Sequence, residues 1–472
     1  MVLGIRVYDV LRVEEIVVEK ESGFCRLPSR QDGSFSPVNN SRVRPGSEWS
    51  CSVGSGSIEP PSNNKIGIAV FDEYELKSAG LSVAVLIYFL RASHANLQPL
   101  DPLEKQCGPV IYLNAMWRHG ARNIEAVAPK DPYADVKYWP GGLGALTNQG
   151  ILQHYRLGKW IAKRYHHLLP EDNVNINGAV KTMSTDWNRT EMSAQAEMAA
   201  MFPTHNSVYW EGITSYPVPI HSIPEEDDAL LEVTKKCDKY EALMNATKNS
   251  QKYQQVLHKY PNMTQYVEDN AGIIISNLDD YQNLYTNCYI EEDRGFKLPD
   301  WLKKVYPSPM KELVIVSFVA PTWDDELKRF RGGPFVKEVL NNFRGKLDGS
   351  NLLNMSLYSA HDTSLSAAMN TMGVFNDAVP PFAALLLLEL RMPHDSSTPV
   401  VSMWYKNSTK EPFLLEMPGC GSCCPLEQME QQLKPVIPED WEKECQDNTE
   451  GAREIKWKFN PPTTACCGVE LN

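Results

Sequence analysis

Two apolar stretches far apart in the sequence each run straight into a histidine, and that repetition constrains the fold more than any other feature of the chain. Residues 109–116 (PVIYLNAM) are β-branched and apolar enough for a buried strand, and Trp117-Arg118-His119-Gly120-Ala121-Arg122 follows, with Gly120 allowing a sharp turn. Residues 352–357 form a second strand-like run that leads into Tyr358-Ser359-Ala360-His361-Asp362-Thr363. Two strands of one sheet ending at the same edge would bring both histidines and the Asp362 carboxylate together. An imidazole that ligates no metal can attack phosphorus, and flanking guanidiniums bind phosphate oxygens in a planar, charge-assisted fork. The residue types point to phosphoryl transfer, with either histidine able to serve as nucleophile. Taken alone, the hexapeptide also reads as a solvated loop.

The length of 472 residues leaves room for more than one core, and a 42% hydrophobic composition is that of an ordinary globular protein. A net charge of −13 and a pI near 5.4 argue against a nucleic-acid partner. They leave a local phosphate pocket possible, because converging arginines set their own field.

In chain order, residues 1–80 read as a mostly disordered extension, since 32–64 is rich in Ser, Gly, Pro and Asn. Residues 81–95 resemble a signal peptide: a ten-residue apolar run (LSVAVLIYFL) follows Lys77, and Ser93 and Ala95 fit a cleavage site that would start the mature chain at Asn96. A secretory signal normally opens a protein, so an over-extended start site is the favoured account, with an internal anchor or a buried strand as alternatives. Residues 96–204 and 346–445 read as the two halves of an α/β core. Between them, 205–345 is richer in charge, Tyr and Asn and reads as an inserted, mostly helical cap domain. Residues 147–165 predict a capped amphipathic helix packing on the sheet through Leu152, Tyr155, Leu157, Trp160, Ile161 and Tyr165, with His154 a packing or surface residue. Residues 188–201 predict a second helix with Arg189 at its start, and 363–372 a third. Residues 382–392 predict another apolar strand. Residues 328–333 read as a solvated loop, or as a contact for a leaving group. The polar tail 446–472 has no apolar run, so a soluble product without a stable membrane anchor is expected.

Eleven cysteines, nine of them beyond residue 95, suit an oxidising compartment. Cys420, Cys423 and Cys424 lack a second ligand pair at finger-like spacing, so disulfides are expected rather than a metal. Sequons at Asn245, Asn262, Asn354 and Asn407 fit a secreted or lysosomal glycoprotein, whereas Asn188, inside the candidate site, is expected to be unmodified.

Arg-His-Gly-Ala-Arg at 118–122 with His361-Asp362 resembles the histidine acid phosphatases, the branch of the histidine phosphatase superfamily that holds prostatic and lysosomal acid phosphatases and histidine-type phytases. The resemblance extends through Tyr138-Trp139-Pro140, Leu146-Thr147-Asn148-Gln149-Gly150, Gln153-His154-Tyr155, Ser184-Thr185-Asp186-Trp187-Asn188-Arg189-Thr190, Met192-Ser193-Ala194, Pro217-Val218-Pro219-Ile220-His221 and Pro438-Glu439-Asp440-Trp441, covering residues 110–445. It implies an α/β fold with a central mixed sheet flanked by helices. It also implies an acid phosphatase that hydrolyses phosphate monoesters through a phosphohistidine on His119. Arg118, Arg122 and Arg189 would bind the phosphoryl oxygens, His361 would add a hydrogen bond, and Asp362 would donate the proton, with no metal or cofactor. The resemblance implies the disulfides Cys237–Cys445 and Cys420–Cys424. It also matches Cys288 to half of a third bridge whose partner position carries Leu385, and leaves Cys107, Cys288, Cys423, Cys466 and Cys467 unassigned. Following the family, 312–319 (ELVIVSFV) is expected to be a helix lining the pocket, although β-branching alone suggests a strand.

Two departures stand out. Ala121 replaces the Asp of prostatic-type members, and Ile124 stands where the family often has proline, which bears on the pocket mouth. Alternatives are a phytase or lysophospholipid phosphatase on the same fold, and a non-catalytic secreted binding protein. A cap that is not strongly basic favours small monoesters over phytate, and a homodimer is a possibility that the family raises.

Overall fold

The computed structural model describes residues 4–6, 17–20, 23–26, 103–170, 176–204, 214–408 and 410–446; the chain divides into two units, Met1–Leu100 and Asp101–Asn472, each described by itself. In the first unit, β1 (Gly4–Arg6), β2 (Val17–Lys20) and β3 (Gly23–Arg26) form an antiparallel sheet in that order, short strands that the weak periodicity of 1–77 did not single out. The polar stretch 32–64, the apolar segment 81–95 and the tail from 447 lie outside the described residues.

The second unit is organised by two neighbouring strands, β4 (Val110–Arg118) and β7 (Met355–Ala360), which run parallel with Arg118 opposite Ala360. On the far side of β7, β5 (Val180–Thr185) is also parallel, and β6 (Ile220–Ile223) continues the sheet. On the far side of β4, β8 (Leu385–Arg391) is antiparallel, followed by β9 (Val400–Lys406), β10 (Phe413–Leu415) and the short β11 (Cys424–Pro425). The order is β10-β9-β8-β4-β7-β5-β6, with β11 on β9. The sheet is therefore mixed.

Period-two side-chain alternation explains why both faces are buried. In the four-leucine run of β8, Leu386 and Leu388 face one hydrophobic cluster, and Leu385 and Leu387 face another. The second cluster includes Leu157 and Ile161 of α1 (Asn148–Arg164) and Ala194, Met198 and Met201 of α2 (Asn188–Met201). Thr147 caps α1 by accepting the Gly150 N–H. The buried stripe of α1 runs through Gly150, His154, Leu157, Gly158 and Ile161, whereas Leu152 and Tyr155, expected to pack on the sheet, are exposed. The reason is angular: a 3.6-residue period cannot place 152 and 155 on the face that holds 154, 157 and 161.

Between β6 and β7 every described element is helical: α3 (Asp238–Asn249), α4 (Gln251–Leu257), α5 (Pro261–Ala271), α6 (Leu278–Asp293), α7 (Met310–Val319), α8 (Asp325–Arg331) and α9 (Gly333–Asp348), with 3-10 turns among them. A separate cluster of Tyr253, Val267, Tyr281, Met310, Leu313 and Phe318 forms the core of this insertion. Helix α9 buries Phe335, Val336, Val339 and Phe343 in the sheet cluster instead. Burial of Leu313, Val314 and Phe318 holds the β-branched run 312–319 in α7, so packing overrides local propensity. The stretch 328–333 is not a loop: it ends α8 and opens α9, with Arg329 paired to Glu444 and Arg331 donating to the Val233 carbonyl. After β7 come α10 (Asp362–Thr371), α11 (Leu426–Leu433) and α12 (Trp441–Gln446).

Among the described residues three disulfides join Cys107 to Cys423, Cys237 to Cys445 and Cys420 to Cys424, and Cys288 is free and buried. Cys423 is thus a disulfide partner, and among the described residues no group of three or more His, Cys, Asp or Glu is placed to hold a metal. Among them, too, no helix is long and apolar enough to cross a membrane.

The turn after β4 is pressed against the first turn of α1. A Cβ on Gly150 would lie 2.3 Å from the Ala121 carbonyl oxygen, and one on Gly120 would lie 2.4 Å from the Gly150 carbonyl oxygen. Backbone cannot yield as a flexible side chain does, so Gly150→Ala is expected to cost about 1–3 kcal/mol in urea unfolding. Gly178→Ala, where a Cβ meets nothing within 4 Å, is the control and should leave the midpoint close to that of the parent chain.

Candidate active site

The parallel strands β4, β7 and β5 share one C-terminal edge, and every residue singled out as chemical follows one of them. Arg118 and His119 close β4, His361 and Asp362 follow β7, and Arg189 sits in the first turn of α2 just after β5. The sheet register therefore brings together residues distant in sequence.

His119 is buried, and its Nδ1 lies 2.9 Å from the Gly120 carbonyl oxygen. A carbonyl only accepts, so Nδ1 carries the proton and Nε2 presents its lone pair. Burial pushes the His119 pKa well below the ordinary value, and the positive fields of Arg118, His361, Arg122 and Arg189 push the same way. The His361 ring stands edge-on to it at 5.5 Å between centroids. His361 Nε2 is 2.9 Å from Thr185 Oγ1 and 3.6 Å from Glu232 Oε2. Burial, then Arg189, Arg122 and Arg118, hold His361 well below the usual histidine range too.

Arg118 is tied down on three sides: Nη1 donates to the Pro380 carbonyl at 2.6 Å, Nη2 pairs with Asp362 at 2.8 Å, and the guanidinium lies 4.2 Å from the Phe382 ring centre. Arg122 donates to the Asn123 carbonyl at 2.9 Å, and Arg189 lies over the Trp187 ring at 4.4 Å. Burial lowers the Arg122 pKa to about 10, which still leaves it a cation at neutral pH. All three guanidiniums are nearly buried, yet among the described residues the Nε–H of each of Arg118, Arg122 and Arg189 has no partner. A buried donor without an acceptor is costly, and three from converging cations describe a site made for an oxyanion.

His154 is a core residue, as expected, but not an idle one. Its Nδ1 is 2.8 Å from Glu197 and its Nε2 is 3.2 Å from the Arg118 carbonyl, so it braces the strand end beside His119. Sequence reasoning did not find Phe382, Glu125, Thr185 or Glu232 as neighbours of the site. Thr185 and Phe382 lie within stretches already singled out, whereas Glu125 and Glu232 carry no motif signal. Ile124, which was expected to bear on the pocket mouth, is fully buried against Ala121, Trp139 and Phe382. The strand expected from residue 382 begins at 385, because Ala383 takes a left-handed φ of 55° and swings Phe382 under Arg118.

A family model described as the histidine phosphatase superfamily, branch 2, matches residues 110–405. The chain belongs to this family. It is 33% identical to the lysosomal acid phosphatase of Rattus norvegicus over 377 residues, 78% of this chain and 87% of the relative. It is 33% identical to the prostatic acid phosphatase of Homo sapiens over 341 residues, 71% of this chain and 87% of the relative. Among solved structures, the phytase from Citrobacter braakii matches with a TM-score of 0.54 at 15% identity, covering 71% of this chain and 99% of that one. Hafnia alvei phytase in complex with myo-inositol hexakis sulphate matches with a TM-score of 0.52 at 16% identity, over 71% and 98% of the two chains. These structures share the histidine phosphatase fold.

Because His119 and His361 are held below the usual histidine range, the unfolded chain binds more protons than the folded one once pH falls through about 6.5. Stability contributed by these groups is present above that pH and lost as pH falls further. Inorganic phosphate should offset the loss: at about 100 times its Kd a ligand of the folded state adds about 2.7 kcal/mol. The expected result is a phosphate-dependent rise in Tm of a few degrees that Arg189→Ala removes, read by calorimetry.

Proposed function

We propose that this histidine phosphatase is an acid phosphatase that hydrolyses phosphate monoesters through a phosphohistidine at His119. The observation that carries the reading is the neutral, buried imidazole with its Nε2 lone pair free among three guanidiniums whose Nε donors await an acceptor. Arg118, Arg122 and Arg189 hold the phosphoryl oxygens, and His361 adds a further hydrogen bond. Nε2 attacks phosphorus in line; the N–P bond forms as the P–O bond to the alcohol breaks, and the electron pair leaves on that oxygen. The phosphoryl dianion competes with the Asp362 carboxylate for Arg118, which frees Asp362 to carry a proton to the leaving oxygen. Water then attacks phosphorus while Asp362 takes up its proton, and phosphate departs from a regenerated imidazole. The guanidiniums supply the charge stabilisation that a metal supplies elsewhere.

The depressed pKa of His119 explains why such an enzyme works in acid. A histidine at its ordinary value is mostly protonated and inert in acid, whereas the downward shift lets this one hold its lone pair further into the acid range. The acid limb of kcat/KM is therefore expected well below pH 6.5, read from a pH–rate profile; a limb at 6.5 or above would remove the shifted His119 from the role of nucleophile.

The three disulfides support passage through an oxidising compartment, and the relatives' names include both lysosomal and prostatic acid phosphatase. Within that reading, Asn245 and Asn262 are exposed and open to a glycan. The Asn354 amide is committed, donating to the Leu168 carbonyl at 2.9 Å and accepting from Lys346 at 2.8 Å. A glycan at 354 would therefore break the packing there.

His119→Ala is expected to lower kcat by at least about a thousandfold, and acid-quenched enzyme should carry labelled phosphate on residue 119 of the parent chain; label on another residue would overturn the assignment. Asp362→Asn should slow alkyl phosphates far more than p-nitrophenyl phosphate, whose leaving group needs little protonation.

A further inference from the structure

Two of the three arginines in the site share a partner that the proposed chemistry does not use. Glu125 places Oε2 2.7 Å from Arg122 Nη2 and Oε1 3.0 Å from Arg189 Nη2, so one carboxylate spans two guanidiniums. Its position is not accidental to a floppy loop. The segment carrying it is pinned by backbone hydrogen bonds from Asn123 to Ala145 and from Gly144 to Ile124, and Asn123 Nδ2 donates to the Pro140 and Gly142 carbonyls. Gly144, at φ +69°, leaves room there: a Cβ on it would come within 3.4 Å of Glu125 Cγ.

Exposure tells which side of the site Glu125 occupies. Its side chain is 42% exposed, against 8% for Arg122 and 9% for Arg189, so the carboxylate lies on the solvent side of both cations. It binds their Nη2 atoms, and the buried Nε–H groups of both are not bonded to it. In an in-line displacement the leaving oxygen stands opposite the nucleophile. His119 is 2% exposed, so a leaving group opposite it extends toward solvent, the side to which Glu125 is exposed.

We propose that Glu125 is a specificity-determining residue: its fixed negative charge at the mouth selects phosphate monoesters whose leaving group carries no further anionic charge, and disfavours polyanionic esters. The inference rests on the monoesterase reading of the same site. The carboxylate also neutralises part of the field that Arg122 and Arg189 would otherwise project outward, while their Nε groups remain for one phosphoryl unit. A second anionic group on the substrate meets a repelling carboxylate where a basic rim would have attracted it.

The test compares phenyl phosphate with 3-carboxyphenyl phosphate, which differ by one charge on the leaving group and little else. In the full-length enzyme, Glu125→Gln keeps the shape of the side chain and removes the charge. The ratio of kcat/KM for the carboxylated ester to that for phenyl phosphate is expected to rise roughly fivefold, the scale of a unit-charge repulsion across a half-solvated cleft. Glu125→Lys should raise it further, and added salt should shrink the difference between parent and variants. A ratio that stays constant in both variants, with each ester changing in parallel, overturns the proposal and leaves Glu125 as a brace for the arginines. A parent enzyme that turns over neither ester would instead bring down the monoesterase reading, and this inference with it.

Discussion

Crowding like charges out of water is unfavourable, and this site is arranged around that cost. Three guanidiniums and two imidazoles converge at one sheet edge, nearly all of them buried. The imidazoles respond by staying neutral, and the guanidiniums, which cannot, are each restrained from outside: Arg118 by Asp362, Pro380 and Phe382, Arg122 and Arg189 by Glu125. What remains is positive potential around His119, held by anchors that do not themselves occupy the buried Nε donors. Such an arrangement is set before any substrate arrives, so little reorganisation is needed when charge develops on phosphorus.

The sheet makes that arrangement possible. Its two buried faces fix β4, β7 and β5 in register, and the register alone places residues 118–119 beside 360–362. The close approach of Gly120 and Gly150 then sets where the chain goes after His119, and the His154–Glu197 pair holds the carbonyl just before it. Core packing and site geometry are thus one problem here, because the residues that seal the sheet also set the directions of the reactive side chains.

Much of this could be read from the sequence, and for identifiable reasons. The runs before His119 and His361 are apolar on both faces, as strands covered by helices must be, and α2 was bounded correctly because its periodicity starts at the motif itself. Reading by local pattern failed where a distant partner decides the outcome. Leu152 and Tyr155 look like core residues until the phase of α1 is fixed by Gly150 and His154. The stretch 328–333 looks like a loop because its two glycines mask a junction between helices. Glu125 carried no signal because its i,i+3 pairing with Arg122 is an ordinary local spacing, and what distinguishes it is the second partner, Arg189, which α2 brings to it from a distant part of the chain. The pairing of Cys107 with Cys423 was beyond reach for the same reason, since connectivity among many cysteines is not encoded in their positions.

That last bond joins a residue just ahead of β4 to one just ahead of β11, across a sequence separation of 316. With it in place, both halves of the active site and the whole helical insertion belong to a covalent ring. Cutting a surface turn of the insertion opens the ring without releasing either half, so a protease that nicks this protein would leave His119 and Asp362 on pieces still tethered to each other. For a cut within the insertion the Cys237–Cys445 bond spans the break as well, so holding the halves together after nicking would depend on the redox state of these two sulfur pairs more than on the integrity of the peptide chain.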